Sequence, residues 1–324
     1  MASSYGWEDV SCGHLFHRAS HDTYLVRHRG RGYVYKVFLL GHDEGAEREA
    51  DLAVHLADHG VGVAAVIPDR SGELVTALRT AEGLRAAVLT ELIEGPEGPA
   101  DFEELGGAIA ALHQALDRYH HLPWPTTRGT AGTPAVLHAS LARIAASRHL
   151  PAPLRHRLLE LGEELMAMAA SVDWAGQESG LIHGDLHQGN IRWRYGGHKP
   201  VFLDWETAGT GPRCADLAAA TWSLRSDPAA ARVAGAALER GYREVRPGVE
   251  LSAVLGLHIA LRDYWRLAYL LDRNSDEGFG WVLEAVAPQV AECAARWLDG
   301  HRDGPSSLLP SAVLSDASSG AGAC

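Results

Sequence analysis

Cysteine is scarce and poorly placed for cross-linking: the four residues, Cys12, Cys214, Cys293 and Cys324, lie far apart and form no C-x-x-C pair. Their spacing argues against a disulfide framework and a zinc ribbon, and it suits a reducing cytoplasm. The N-terminus, Met1 to Asp9, has neither a basic start nor an apolar segment, and no later apolar run approaches the length of a membrane span. A soluble, cytoplasmic protein without a membrane partner is expected. Positive charge is also short, with 29 Lys and Arg against 41 Asp and Glu. The resulting net charge of -12 argues against broad binding to nucleic acid and favours a cationic partner. Internal repeats are absent, and the 18 histidines are scattered as surface or packing residues. What remains is a chain of 324 residues, 46% hydrophobic and 22% charged, long enough for two lobes with sizeable cores. It carries no signal for an oligomeric state.

Residues 11–40 read as strands, with Arg29-Gly30-Arg31-Gly32 as a hairpin turn before Tyr33 to Leu40. Lys36 stands out there. Alternation places it beside Val34 and Phe38, inside a strand that is apolar on both faces, and a buried ammonium requires a negative partner. The next segment, Glu44 to His59, has alanines and leucines at helical spacing and Gly60 as its stop, so Glu47 and Glu49 are the candidate partners. Strands are expected at Gly72–Thr76 and Ala86–Ile93. The second runs into Glu94-Gly95-Pro96-Glu97-Gly98-Pro99, a composition that marks a boundary between lobes. From Asp101 the pattern is helical, with Phe102, Leu105, Ile109 and Leu112 on one face and Leu154, Leu158, Leu161, Leu165 and Met168 on another. Residues 120–133 read as a loop, Asp216 as a helix N-cap, and residues 301–324 as a disordered tail. Further helices are expected over 228–241, 251–271 and 281–298.

The densest stretch is 181–206. Ile191, Trp193 and Tyr195 alternate with arginines, Val201-Phe202-Leu203 is apolar, and Gly196-Gly197 supplies a turn, so a hairpin is expected. Centring the turn there sets Asn190 opposite Asp204. Asp185 lies on a loop that Gly184 and Gly189 allow to curl toward the same end. Two acids and an amide at one edge suit a magnesium ion that keeps positions open for phosphate oxygens. The same set fits phosphoryl transfer, with Asn190 and Asp204 on the metal and Asp185 orienting an acceptor hydroxyl.

His183-Gly184-Asp185-Leu186-His187-Gln188-Gly189-Asn190, then Asp204-Trp205-Glu206, then Asp216-Leu217-Ala218 resemble the signature of the aminoglycoside phosphotransferase family. That resemblance implies a bilobal protein-kinase-like α/β (α+β) fold. Residues 1–93 would form an N-terminal lobe of antiparallel sheet plus one helix, 94–99 a hinge, and 100–300 a helical C-terminal lobe. It implies ATP or GTP with Mg2+ as cofactors, Lys36 on the nucleotide phosphates, and Glu49 as the partner of Lys36. It also places adenine on the backbone of Glu91 and Ile93 and has Asp216 brace the loop around Asp185. Asp263, Asp272, Asp276 and Glu277 cluster where the family tends to grip substrate amino groups. Arg262, Arg266 and Arg273 stand among them, so plain surface ion pairs are the better reading of these acids. The implied acceptor is a hydroxylated small molecule, an aminoglycoside or other antibiotic first, a small amino alcohol or biosynthetic intermediate second.

The chain departs from the kinase pattern at one place: residues 11–23 contain Gly13 alone where G-x-G-x-x-G would cover the phosphates. A catalytically silent nucleotide-binding module is therefore one rival reading. A metal-dependent hydrolase that uses His183, Asp185 and His187 as ligands is the other.

Overall fold

The computed structural model of the protein describes residues 1–17, 21–98, 101–124, 134–174, 176–195, 199–247, 254–272, 280 and 282–302. After a short helix α1 (Ala2–Tyr5), the β-branched and aromatic run forms strands β1 (Ser11–His17), β2 (His21–His28) and β3 (Arg31–Phe38). Helix α2 (Asp43–Asp58) follows, then β4 (Val75–Arg79) and β5 (Leu84–Glu91). The five strands make one antiparallel sheet in the order β1-β2-β3-β5-β4. A two-residue turn with positive φ at Arg29 and Gly30 pairs His28 with Arg31, so Arg31 and Gly32 open β3 instead of belonging to the turn. β4 starts at Val75, later than expected, because the Asp69 carboxylate and carbonyl take the N–H groups of Ser71, Gly72 and Glu73 and hold that stretch in a turn.

Alternation along β3 sends Tyr35 and Val37 to one face, where they pack with Tyr5, Val26, Ala87 and Leu89. Phe38 faces the other way and packs with Ala46 and Ala50 of α2. Lys36 shares that second face, so its ammonium points at the helix. Gly60, at φ 75°, ends α2 as expected, and the Val61 N–H returns to the Leu56 carbonyl at 3.0 Å.

The second lobe is built on helices α3 (Phe102–Leu116), α4 (Pro134–Ala146), α5 (Ala152–Ala170), α6 (Cys214–Thr221), α7 (Pro228–Val245), α8 (Leu255–Asp272) and α9 (Ala287–Arg302). Two small antiparallel ribbons sit among them. β6 (Ser179–Ile182), β7 (Ile191–Trp193), β8 (Pro200–Phe202) and β9 (Gly209–Pro212) pair as β6 with β9 and β7 with β8. Helix α4 and the β6–β9 ribbon have no clear periodicity and were not anticipated. Asp101 caps α3 by accepting from Glu103 N–H at 2.7 Å. α3 and α7 cross closely because neither Gly106 nor Gly241 has a side chain: a Cβ on Gly241 would lie 1.8 Å from the Glu103 carbonyl oxygen.

One core joins Leu52 and Leu56 of α2 to Leu105, Ile109 and Leu112 of α3, Leu217 of α6, and Ile191 and Phe202 of the β7–β8 ribbon. A second packs Leu158, Leu161 and Leu165 of α5 against Leu257, Leu261 and Tyr264 of α8. The connector after β5 runs along β7: Trp193 N–H donates to the Pro96 carbonyl at 3.1 Å and Gly98 N–H to the Ile191 carbonyl at 3.2 Å. The two lobes are thus sutured through the first core and this connector. The expected Gly196-Gly197 turn, part of the loop at 125–133 and the tail from 303 lie outside the described residues.

Candidate active site

Lys36 adds a polar bridge between the lobes. Its Nζ donates to Glu49 Oε2 at 2.8 Å and Oε1 at 3.1 Å, and to Asp204 Oδ1 at 3.1 Å. Of the two acids offered as partners, Glu49 is the one that pairs. Glu47 is exposed, because at i−2 on a helix it points away from Glu49. Burial by itself would lower the Lys36 pKa, but Asp204 and Glu49 outweigh it and hold the ammonium protonated above its ordinary value. Burial raises the Glu49 carboxyl against the pull of Lys36. Asp204 is also pushed up by burial, yet Lys36 and His21 hold it well below the usual carboxylate range.

The hairpin register differs from the expected one. Ile191 pairs with Phe202, Arg192 with Val201 and Trp193 with Pro200, which sets Asn190 opposite Leu203; the Leu203 N–H donates to the Asn190 carbonyl at 2.9 Å. Asp204 lies one residue beyond and adopts φ 64°, a left-handed conformation uncommon for a residue other than glycine. That twist takes the chain out of the strand and turns the Asp204 carboxylate to Lys36, which a straight hairpin would not do.

Asp185 and Asn190 are tied directly: Asn190 Nδ2 donates to the Asp185 carbonyl at 2.8 Å, which leaves the side-chain oxygen of Asn190 as the atom able to accept a hydrogen bond or meet a cation. Gly184, at φ 82°, makes the bend before Asp185. The loop is held from beneath. Asp216, fully buried, accepts from the N–H groups of His183 at 2.9 Å and Gly184 at 2.8 Å and from His113 Nε2 at 3.0 Å. Asp216 is therefore not the N-cap of α6. The helix already starts at Cys214, and Asp216 faces inward because the loop's unpaired N–H groups are there to be satisfied. Burial raises its pKa less than His113 and the backbone donors lower it, so it stays ionised. His113, whose Nδ1 meets the Tyr242 hydroxyl at 2.8 Å, is kept neutral by burial.

His183 is buried with its Nε2 on the Leu203 carbonyl at 2.9 Å, and His187 Nδ1 accepts from Gly189 N–H at 2.9 Å. Both rings are used within the loop. Among the described residues no group of three or more His, Cys, Asp or Glu gathers to hold a metal, so the hydrolase reading of 183–187 has no ligand shell. One amide oxygen from Asn190 and one carboxylate from Asp204 instead fit a hard cation whose remaining ligands are phosphate oxygens and water.

Sequence reasoning did not foresee the contacts of Arg262. From α8 it donates Nη2 to Asp185 Oδ1. A signal was present, for Arg262 and Asp263 sit between Leu261 and Tyr264 at positions the apolar periodicity marks as buried. Asp263 accepts from Trp222 Nε1 at 2.6 Å and faces Arg225 Nε at 2.9 Å; burial lifts its pKa to about 6 against the pull of Arg225. Asp272 pairs with Arg143 at 3.0 Å on the surface, both half exposed. These two acids therefore do not converge, and Asp276 and Glu277 lie outside the described residues. At the other end of the site, Glu91 exchanges hydrogen bonds with Ala65, its N–H to the Ala65 carbonyl and its Oε1 from the Ala65 N–H, each at 3.0 Å, and it also pairs with Arg194. Ile93 is buried where the connector begins.

A family model described as the phosphotransferase enzyme family matches residues 15–247. The chain belongs to that family. It is accordingly read as a small-molecule kinase. An uncharacterized protein of Deinococcus radiodurans is 29% identical over 82% of this chain and 78% of its own length. A homoserine kinase of Cupriavidus necator is 31% identical over 60% of this chain, and the match spans 59% of that kinase. Among solved structures, an amicoumacin kinase in complex with AMP-PNP and Ca2+ superposes with a TM-score of 0.65 at 18% identity, covering 90% of this chain and 91% of that one. The microcompartment-associated aminopropanol kinase also gives 0.65, at 20% identity over 92% and 95% of the two chains. These likenesses show the shared bilobal fold.

Proposed function

We propose that this phosphotransferase moves the γ-phosphoryl group of ATP or GTP to a hydroxyl of a small molecule. One observation carries the reading: a partly buried lysine of the N-terminal lobe is bonded at once to Glu49 and to Asp204, an acid next to the loop that holds Asp185 and Asn190. In this reading Lys36 receives the nucleotide phosphates, with Glu49 fixing its rotamer. The Glu91 carbonyl and the Ile93 backbone hold the base. Asn190 and Asp204 would hold a divalent cation such as Mg2+, which supplies charge neutralisation on the phosphates when bound.

Asp185 accepts a hydrogen bond from the acceptor hydroxyl and aims its oxygen at the γ-phosphorus. The new O–P bond forms as the bond to the β-phosphate bridging oxygen breaks; the nucleoside diphosphate leaves and the hydroxyl proton passes to the Asp185 carboxylate. With a loose transition state, positioning by Asp185 counts for more than early proton removal. Asp216 and His113 act one layer below by fixing the N–H groups of the loop.

The acceptor is a hydroxylated antibiotic such as an aminoglycoside, or a small intermediate of the amino-alcohol kind. The kinases of amicoumacin, aminopropanol and homoserine among the similar proteins span both classes. A coupled ADP-release screen over antibiotics, amino alcohols and homoserine, run beside Asp185→Ala, tests the reading. Acceptor-dependent release that the variant abolishes is the expected result. ATP binding with no transfer to any acceptor would instead identify a silent nucleotide-binding module.

A further inference from the structure

The charge around Asp185 has the opposite sign to the charge of the whole chain. Arg262 and Arg266 lie four residues apart on α8 and so share a face, and Arg225 joins them just after α6. All three guanidinium groups gather on the ring of Trp222, with Arg225 Cζ 3.7 Å, Arg266 Cζ 4.9 Å and Arg262 Cζ 5.5 Å from its centroid. Among the described residues, two acids answer these three cations. Asp263 is taken by Trp222 and Arg225, and Asp185 by Arg262. Arg266, half-buried on the turn of helix after Arg262, has no ion pair or hydrogen bond among the described residues. Arg262 is 5% exposed, and its Nε is buried without a hydrogen-bond partner.

A clustered, partly dehydrated guanidinium is costly unless an anion faces it. Burial, then repulsion from Arg225, lowers even the Arg266 pKa, and Asp185 is among the groups that oppose this, which places Arg266 within its field. The missing partner is negative and close to Asp185. We infer that the acceptor is an alcohol that also carries an anionic group, a carboxylate in the first instance, which docks on Arg266 beside the Arg262–Asp185 pair while its hydroxyl lies on Asp185. The inference rests on the phosphotransfer reading above and, of its two acceptor classes, keeps the small intermediate and sets the aminoglycoside aside. One turn of helix separates the two arginines, so hydroxyl and anion should be about 5–6 Å apart, the span of a short hydroxy acid. A polycationic acceptor would meet like charge here.

The test pairs binding with turnover. With AMP-PNP present, 4-hydroxybutyrate, L-homoserine, glycerol 3-phosphate, 4-hydroxybutyramide and kanamycin are titrated calorimetrically against the wild type, Arg266→Gln and Arg266→Lys. The same compounds are assayed for ADP release with ATP. A carboxylate-bearing alcohol should bind at least about tenfold more tightly than the neutral amide. Arg266→Gln should erase that difference, raising KM more than it lowers kcat, and Arg266→Lys should restore part of it. Preference for glycerol 3-phosphate over the hydroxy acids would keep the anion site and assign it to phosphate. Phosphorylation of kanamycin or the amide with kinetics that Arg266→Gln leaves unaltered would overturn the proposal and leave the kinase reading standing. Arg266-dependent binding of hydroxy acids without any transfer would support the anion site and defeat the kinase reading. Thermal melting of each variant separates lost binding from lost fold.

Discussion

The two ends of the site are built from the same kinds of residue and balanced in opposite ways. At the end assigned to the nucleotide Lys36 lies between Glu49 and Asp204, and the acids are in excess. At the end assigned to the acceptor three arginines share Asp185 and Asp263 around one indole, and among the described residues the cations are in excess. An excess of acid beside a lysine is what a metal-bound polyphosphate needs, since the cation it brings completes the charge. An excess of arginine needs an anion from the other substrate. The comparison shows why a net charge of -12 is a poor guide to substrate sign: a binding site samples the charges within a Debye length of about 8–10 Å, not the total.

The largest effect that would break the comparison is at the acid between the two ends. Asp185→Ala should lower turnover by about 10²- to 10⁴-fold, measured as initial ADP release at saturating acceptor. A value within threefold of wild type would remove Asp185 from the chemistry. Next comes Lys36→Ala, which should raise the KM for ATP by about 10- to 100-fold through loss of charge-assisted bonds to the phosphates. Unchanged ATP kinetics would refute the assignment of the nucleotide end.

Below both ends, Asp216→Ala should cost about 3–5 kcal/mol in denaturant unfolding, because it strands two backbone N–H groups and His113 in the core. The pH dependence has a defined sign. His113 has a depressed folded pKa, so its contribution is complete above the ordinary histidine value near 6.5 and declines as pH falls. Asp216 is depressed too, so its share persists above about 4 and is lost on further acidification. Wild-type stability should therefore fall progressively below about pH 6.5, and the variant should lose the part of the acid limb below about pH 4 that Asp216 contributes while keeping the part that His113 contributes. The smallest effect sharpens the comparison at its edge: Asp272→Ala removes an exposed pair with Arg143, should change stability by less than about 0.5 kcal/mol, and should leave acceptor KM where it was.

The residues that gather around Lys36 and Asp185 were legible because each broke a local pattern. Lys36 interrupted an apolar strand, Asp185 and Asn190 stood beside Gly184 and Gly189, and Asp204 closed the apolar run Val201-Phe202-Leu203. The residues narrowed the partner of Lys36 to two acids, the family resemblance selected Glu49, and the structure pairs it with Lys36. The arginine cluster was legible only in part. Arg262 and Asp263 left a local signal as charges on a largely apolar helix, but Trp222 and Arg225 lie far from them in sequence, so nothing local joins the four. The late acids, which read as a possible grip for amino groups, separate into a buried Asp263 and a surface Asp272 once α8 is packed.

By itself, the sequence determined the alternation and helical periods that build the lobes and the kinds of oxygen-bearing side chain near the hairpin, since these depend on neighbours within a turn or two. The tertiary structure decided the register that put Leu203 opposite Asn190, the left-handed turn that swung Asp204 to Lys36, and the inward role of Asp216. It also brought arginines from two helical segments onto one tryptophan. Each of these depends on which distant group is left wanting a hydrogen bond or a counter-charge, and that is settled when the helices pack.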